Sequence, residues 1–273
     1  MTADAQLLAA AFLDGDRALD AWASWRSSVD IDLLDSPRQD LLPQLYRNLS
    51  ALGVEDPILE RLRSPYRHTW VANQLLLQRT APAIAALGHE SVDGCLIGDA
   101  ALALTVYADA GARKIALPDV SVPVRTRRRA LRTLRAGGWS GVGSRIRRRL
   151  RPLIHGRQLL TDGGGQRIQV SWTSPAITHP GGDPRCVVAV HGRRLRVSSV
   201  PTQLVRACRA ADSGAHPDIR SLADALATMR AASDADWEAV ARIARRSNLP
   251  EVPRITGYLR REVGAQVPGG VPI

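Results

Sequence analysis

From residue 5 to about residue 90, apolar residues recur every third or fourth position, in "AQLLAAAFL", "DRALDAWASW", "LLPQLYRNLSAL" and "DPILERLRSPYRHTWVANQLLLQRTAPAIAAL". This spacing predicts a run of amphipathic helices. Asp56 followed by Pro57 predicts an N-cap with proline at the first helical position, and Gly88 predicts the end of that helix. Between 91 and 200 the period changes. "GCLIG" and the alternating "IALPDVSVPV" (115–124) read as strands, "RTRRRALRTLRAGG" as a helix closed by Gly137 and Gly138, and "RIQVSW" and "CVVAVHGRRLRVSSV" as further strands. Glycines at 163–165 and 181–182 mark turns. From 201 the pattern is helical again, through "PTQLVRACRAA", "DIRSLADALATMRAA" and "SDADWEAVARIARRSNL", the last opened by an N-cap at Ser233 and an acidic first turn. The tail "QVPGGVPI" reads as loose. The prediction is an α+β protein in three blocks: an N-terminal helical block (1–90), a core of mixed β-sheet with flanking helices (91–200), and a C-terminal helical block (201–273).

Composition leaves that picture intact and narrows the class. A chain of 273 residues with 45% apolar content can bury a sizeable core. Cys95, Cys186 and Cys208 have no CxxC or Cys/His spacing, so the expectation is three reduced thiols and neither a disulfide framework nor a zinc site. The start of the chain has no basic stretch and is interrupted by Asp14, Asp16 and Asp20, unlike a signal peptide. No apolar run approaches the roughly 18 residues of a membrane span. A soluble, cytoplasmic protein without a membrane partner is expected.

Charge changes the picture at one place. The formal net charge is +11, and residues 125–151 alone hold 11 arginines and no acid. Lysine occurs once, at Lys114. Arginine makes forked contacts to phosphate and carboxylate, so Arg125, Arg128, Arg129 and Arg132 are candidate contacts for an anionic ligand or partner. The same arginines also read as a solvated helix face followed by a basic loop.

Candidate chemistry centres on 115–124. In an alternating strand, residues i and i+2 project to the same side, so an acid at 121 would complete a metal-binding pair with Asp119. The residue there is Ser121. Taken alone, Asp119 reads as a strand-end aspartate hydrogen-bonded locally. The histidines, at 68, 89, 155, 179, 191 and 216, show no HxxxH or HxH spacing. Ser171 and Ser198-Ser199 lack a nucleophile-elbow context, and the glycines at 163–165 lack the lysine of a phosphate loop and read as a hairpin turn.

The succession "LLPQLYRNL", "LIGDAALALTVYADAGARKIALPDVSVPV", "ALRTLRAGGW", "IQVSW" and "VPTQLVRACRAA…SLADALA…DWEAVARIARRSNL" resembles the bacterial nucleotidyltransferase-like family of the polymerase-beta-type superfamily. The agreement runs over roughly residues 40 to 250. The resemblance implies a nucleotidyltransferase-like sheet and a site where two acids on one strand and a third on a neighbouring strand hold two magnesium ions and a nucleoside triphosphate. Gly98, Tyr107, Arg113, Trp139 and Trp172 keep the family's landmarks. Asp119 keeps the first acid. Ser121 stands at the second, Gln169 at the third, Ser171 at its histidine neighbour, and Ile97 at the lysine before Gly98. Asp99 reads first as the N-cap of "AALALTVYADAG", and the resemblance leaves it as a possible substitute ligand.

A site with one acid in place of three loses two of the charges that offset divalent ions. Since metal and electrostatic effects supply most of the acceleration in phosphoryl transfer, little or no transfer is expected. The first reading is therefore a catalytically degenerate nucleotidyltransferase-fold protein, with no cofactor. Its cleft and arginine-rich face would hold an anionic ligand, a peptide or a partner enzyme. Since relatives of this kind often accompany peptide natural-product pathways, the resemblance also implies an accessory role in modifying a peptide. The second reading is an active enzyme that uses Mg²⁺ and an NTP, through Asp119 with Asp99 or another recruited acid, to move an NMP group to a small molecule, peptide or protein. The third is nucleic-acid binding through 125–151. Aromatic residues make up 4% of the chain and only Trp139 interleaves with the arginines, which speaks against a stacking platform.

Overall fold

The computed structural model describes residues 1–107, 109–142, 156–172, 186–212 and 217–267. The arginines at 145–151, His155, His179, Gly181, Gly182, His216 and the end of the tail lie outside the described residues. The N-terminal helices are α1 (Ala3–Phe12), α2 (Gly15–Ser28), a short α3 (Ser36–Gln39), α4 (Leu42–Ala51) and the 32-residue α5 (Ile58–His89). α5 begins one residue later than Asp56-Pro57 predicts. Pro57 holds the cap position, and Asp56 Oδ1 accepts the Ile58 N–H at 2.9 Å. Gly88 lies inside its last turn.

The middle of the chain supplies β1 (Cys95–Ile97), α6 (Asp99–Thr105), β2 (Asp119–Ser121), α7 (Arg127–Ala136), β3 (Ser140–Gly141), β4 (Arg157–Thr161), β5 (Arg167–Ser171), β6 (Cys186–Val190) and β7 (Arg193–Val197). The strand expected over 115–124 shrinks to the three residues of β2. It lies between Pro118 and Pro123, which lack the N–H a longer ladder needs. β3 and β4 carry no clear apolar alternation in the sequence that would predict them. The 163–165 glycines do form the β4–β5 turn, where Asp162 Oδ1 accepts the N–H groups of Gly164 and Gln166. The C-terminal helices are α8 (Val200–Ala211), α9 (Ile219–Ala231), α10 (Asp234–Ser247) and α11 (Glu251–Tyr258). Ser233 caps α10 in a reciprocal box with Asp236.

The seven described strands form one mixed sheet in the order β3-β4-β5-β2-β1-β7-β6. β2 runs antiparallel to β1 and parallel to β5, with Asp119 opposite Gln169, Val120 opposite Val170 and Ser121 opposite Ser171. Because side chains alternate along a strand, this register sorts them. Leu96, Val120, Val170 and Ile168 join one buried cluster with Leu77, Ile84 and Leu87 of α5, Ala100 of α6 and Leu131 and Leu134 of α7. Asp119, Ser121, Gln169 and Ser171 share the other face.

A second cluster joins both ends of the chain. Leu7 and Leu8 of α1, Trp22 and Trp25 of α2 and Leu45 of α4 pack in one core with Leu204 of α8, Leu226 of α9, Trp237 of α10 and Ile255 of α11. α5 enters both cores, through Ile58 and Leu62 at its start and Leu77 to Leu87 at its end.

Candidate functional site

The parallel register of β2 and β5 places Gln169 and Ser171 beside Asp119. Gln169 Nε2 donates to Asp119 Oδ2 at 2.8 Å, and Ser171 Oγ donates to Oδ1 at 2.7 Å. Both carboxylate oxygens thus accept from neutral donors. Burial pushes the Asp119 carboxyl above its ordinary value, opposed by the Ser171 and Gln169 donors and then by the charges of Arg206 and Arg157. Ser121 is buried beside them, 3% exposed, and adds no charge.

These residues do not fit a two-magnesium site. Magnesium takes oxygen ligands in octahedral geometry, whereas the groups nearest Asp119 turn N–H and O–H toward its lone pairs. Among the described residues no group of three or more His, Cys, Asp or Glu side chains could hold a metal.

Gly98 closes β1 and stands at the cap position of α6, with φ +64° and ψ −141°, a backbone conformation reserved in practice for glycine. Asp99 is therefore the first residue of α6 and not its N-cap, which corrects that expectation. Its Oδ1 accepts from Arg113 Nη2 at 3.0 Å and its Oδ2 from the Ala116 N–H at 3.2 Å. Arg113 forks onto Asp224 of α9, with Nε to Oδ1 at 2.8 Å and Nη2 to Oδ2 at 2.9 Å, and Nη1 donates to the Lys114 carbonyl. The Tyr107 hydroxyl donates to Asp224 Oδ1 at 2.9 Å. Burial opposes the Arg113 charge, but Asp224, with a smaller contribution from Asp99, outweighs it and raises the guanidinium well above its ordinary value. Arg113 and Asp99 thus tie the sheet to the C-terminal helices.

A cavity of about 370 Å³ opens beside this network, lined among others by Gly98, Asp99, Arg113, Gln203, Arg206 and Arg220. Arg206 of α8 is half-buried, and burial lowers its guanidinium below the ordinary value, against the attraction of Asp119. Sequence reasoning missed both Arg206 and Asp224. Each was signalled only by a charge set in an otherwise apolar helical stretch, "QLVRACRAA" and "SLADALATM".

The arginine face lies elsewhere. α7 buries Ala130, Leu131 and Leu134 and exposes Arg125 (in the turn before it), Arg128, Arg129 and Arg132. Among the described residues none of these four pairs with an acid, whereas Arg38, Arg47, Arg209, Arg230 and Arg254 all do. Arg129 reaches only the Glu90 carbonyl, at 3.4 Å. The structure thus brings Asp119, Ser121 and Gln169 together, sets Gly98, Asp99 and Arg113 at the cavity, and leaves the α7 arginines outside both.

The sheet order, the glycine opening α6 and the aspartate on β2 define a nucleotidyltransferase-like α+β protein. The chain belongs to the family described as uncharacterised nucleotidyltransferases, whose model matches residues 36–262. No curated protein sequence matches it. Two solved structures are similar at the level of fold. An antigenic nucleotidyltransferase-like protein from Paracoccidioides brasiliensis shares 12% identity at a TM-score of 0.46, over 73% of this chain and 93% of that one. The antibiotic-resistance factor ANT(2'')-Ia shares 13% identity at a TM-score of 0.46, over 68% of this chain and 99% of that one. Among the described residues no helix is long and apolar enough to cross a membrane.

Proposed function

We propose that this chain is a catalytically degenerate member of its family, an accessory protein that binds an anionic partner and no longer transfers nucleotides. One observation carries the reading: both oxygens of the surviving carboxylate, Asp119, accept from the neutral side chains of Gln169 and Ser171. A metal arriving there would have to displace two donors and would find one negative charge to offset its own two. The exposed, unpaired arginines of α7 and the cavity at Gly98 are the surfaces left for recognition. A ribosomal peptide or its modifying enzyme is the concrete partner we have in view.

Family membership favours a second reading, an active enzyme in which Asp99 supplements Asp119. Ile97 pairs with Asp119 across β1 and β2, so Asp99 follows the strand end by two residues. Against it, Asp99 already accepts from Arg113 and the Ala116 N–H.

Calorimetric titration with ATP, GTP, CTP and UTP, each with and without Mg²⁺, separates the two. The binding protein shows no magnesium-dependent affinity for any of them. Tight binding of one nucleotide that requires magnesium and is lost in Asp119→Asn would establish the enzyme instead.

A further inference from the structure

Arg206 and Arg113 line the same cavity, yet they are treated differently. Arg113 makes four hydrogen bonds to Asp224, Asp99 and Lys114. Arg206, also only partly exposed, makes no hydrogen bond or ion pair among the described residues. Asp119 acts on it only through the field between them, with no hydrogen bond or ion pair joining the two.

The acids around the cavity are already engaged. Asp99 and Asp224 face Arg113, Asp40 meets Arg220 at 2.8 Å and Lys114 at 3.8 Å, and Asp218 accepts from Ser221. Among the described lining residues Arg206 is the cation left without an acid partner; Arg220, paired with Asp40, keeps only its buried Nε without an acceptor. Burying a charge without a partner is unfavourable, and a guanidinium fork matches the paired oxygens of a phosphate. Gly98 adds access, since a Cβ built there would meet nothing within 4 Å, so a ligand can approach the backbone closely.

We infer that Arg206 anchors a small phosphate-bearing molecule in the cavity beside Gly98, bound without a divalent cation. The guanidinium supplies the positive charge that magnesium supplies in an active relative. A cavity of about 370 Å³ is large enough for a phosphorylated metabolite and not only the bare anion. The inference rests on the reading of the chain as a binding protein and names the ligand class of its cleft.

Pyrophosphate titrated calorimetrically into the full chain in EDTA tests it. Wild-type protein and Arg63→Ala, a partly exposed arginine outside the cavity lining, are expected to bind equally, and Arg206→Met at least tenfold more weakly. Arg206→Lys, which keeps the charge and loses the fork, is expected between them. Thermal unfolding guards against misfolding: Arg206→Met should melt at or above the wild-type temperature, because it removes a partly buried cation without a partner. Equal binding by wild type and Arg206→Met, or no binding by wild type, would overturn the anion site. A melting temperature of Arg206→Met well below wild type would also overturn it, by showing that the residue serves the fold. Neither result touches the degenerate-enzyme reading, which falls only to magnesium-dependent nucleotide binding lost in Asp119→Asn.

Discussion

At the residue scale, two aspartates of the same charge are held in different ways. Asp224, with 10% of its side chain exposed, faces the Arg113 fork and the Tyr107 hydroxyl. Replacing it with Asn leaves a buried guanidinium with Asp99 as its remaining counter-charge, and a broken buried pair of this kind costs up to about 3–5 kcal/mol. Urea unfolding of Asp224→Asn should show a loss of that size with an unchanged m-value. Asp119 has only neutral donors in contact, and burial raises its carboxyl above the ordinary value. As pH rises through the ordinary carboxylate range the unfolded chain releases this proton first while the folded chain still holds it. Asp119 therefore costs stability progressively across that window, and the cost is complete once pH passes the raised value. Asp119→Asn should match wild type in acid and gain on it toward neutral pH in paired urea unfolding at pH 4 and 7. The neutral residue at 121 was legible in the sequence because residues i and i+2 of a strand share a side. Asp224 was not, because its partner lies 111 positions away.

At the element scale, local signals fared according to how local their cause was. The capping box of α10 and the glycine stop of α7 depend on neighbours within a turn, and both stand where the sequence places them. The strand over 115–124 failed because alternation says nothing about ladder length, which the flanking prolines limit to three residues. The cap of α6 failed because Asp has the right chemistry for a cap, but the chain turns off β1 at Gly98 with a positive φ. Gly98→Ala should therefore destabilise by about 1–3 kcal/mol through strain, although nothing nearby blocks a methyl group. Gly88→Ala, inside the last turn of α5 and with equally open surroundings, should instead stabilise by a few tenths to about 1 kcal/mol. Chemical denaturation of the two variants checks both signs.

At the scale of the whole molecule, α5 is the member that both cores share. Over 32 residues it rises about 48 Å, enough to run from the helical core past the sheet. Leu62 is 1% exposed in the first core and Ile84 5% in the second. Truncating either to Ala should cost about 2–5 kcal/mol. Because one continuous helix carries both, tryptophan fluorescence and far-UV circular dichroism should fall in a single coincident transition for each variant; separate midpoints would show that the cores unfold independently.

The sequence by itself determined the order of helical and sheet-forming segments, the end of α7 and the cap of α10, and the neutral residue two positions after Asp119, because each follows from residues a few positions apart. Only the tertiary structure decided that Gln169 and Ser171 would take both oxygens of Asp119. Those contacts join residues 50 and 52 positions apart through the register of a parallel strand pair, which no local pattern encodes. It also decided that Arg206 would reach the cavity without an acid to meet it, since whether a buried charge finds a partner depends on what the rest of the chain brings to it.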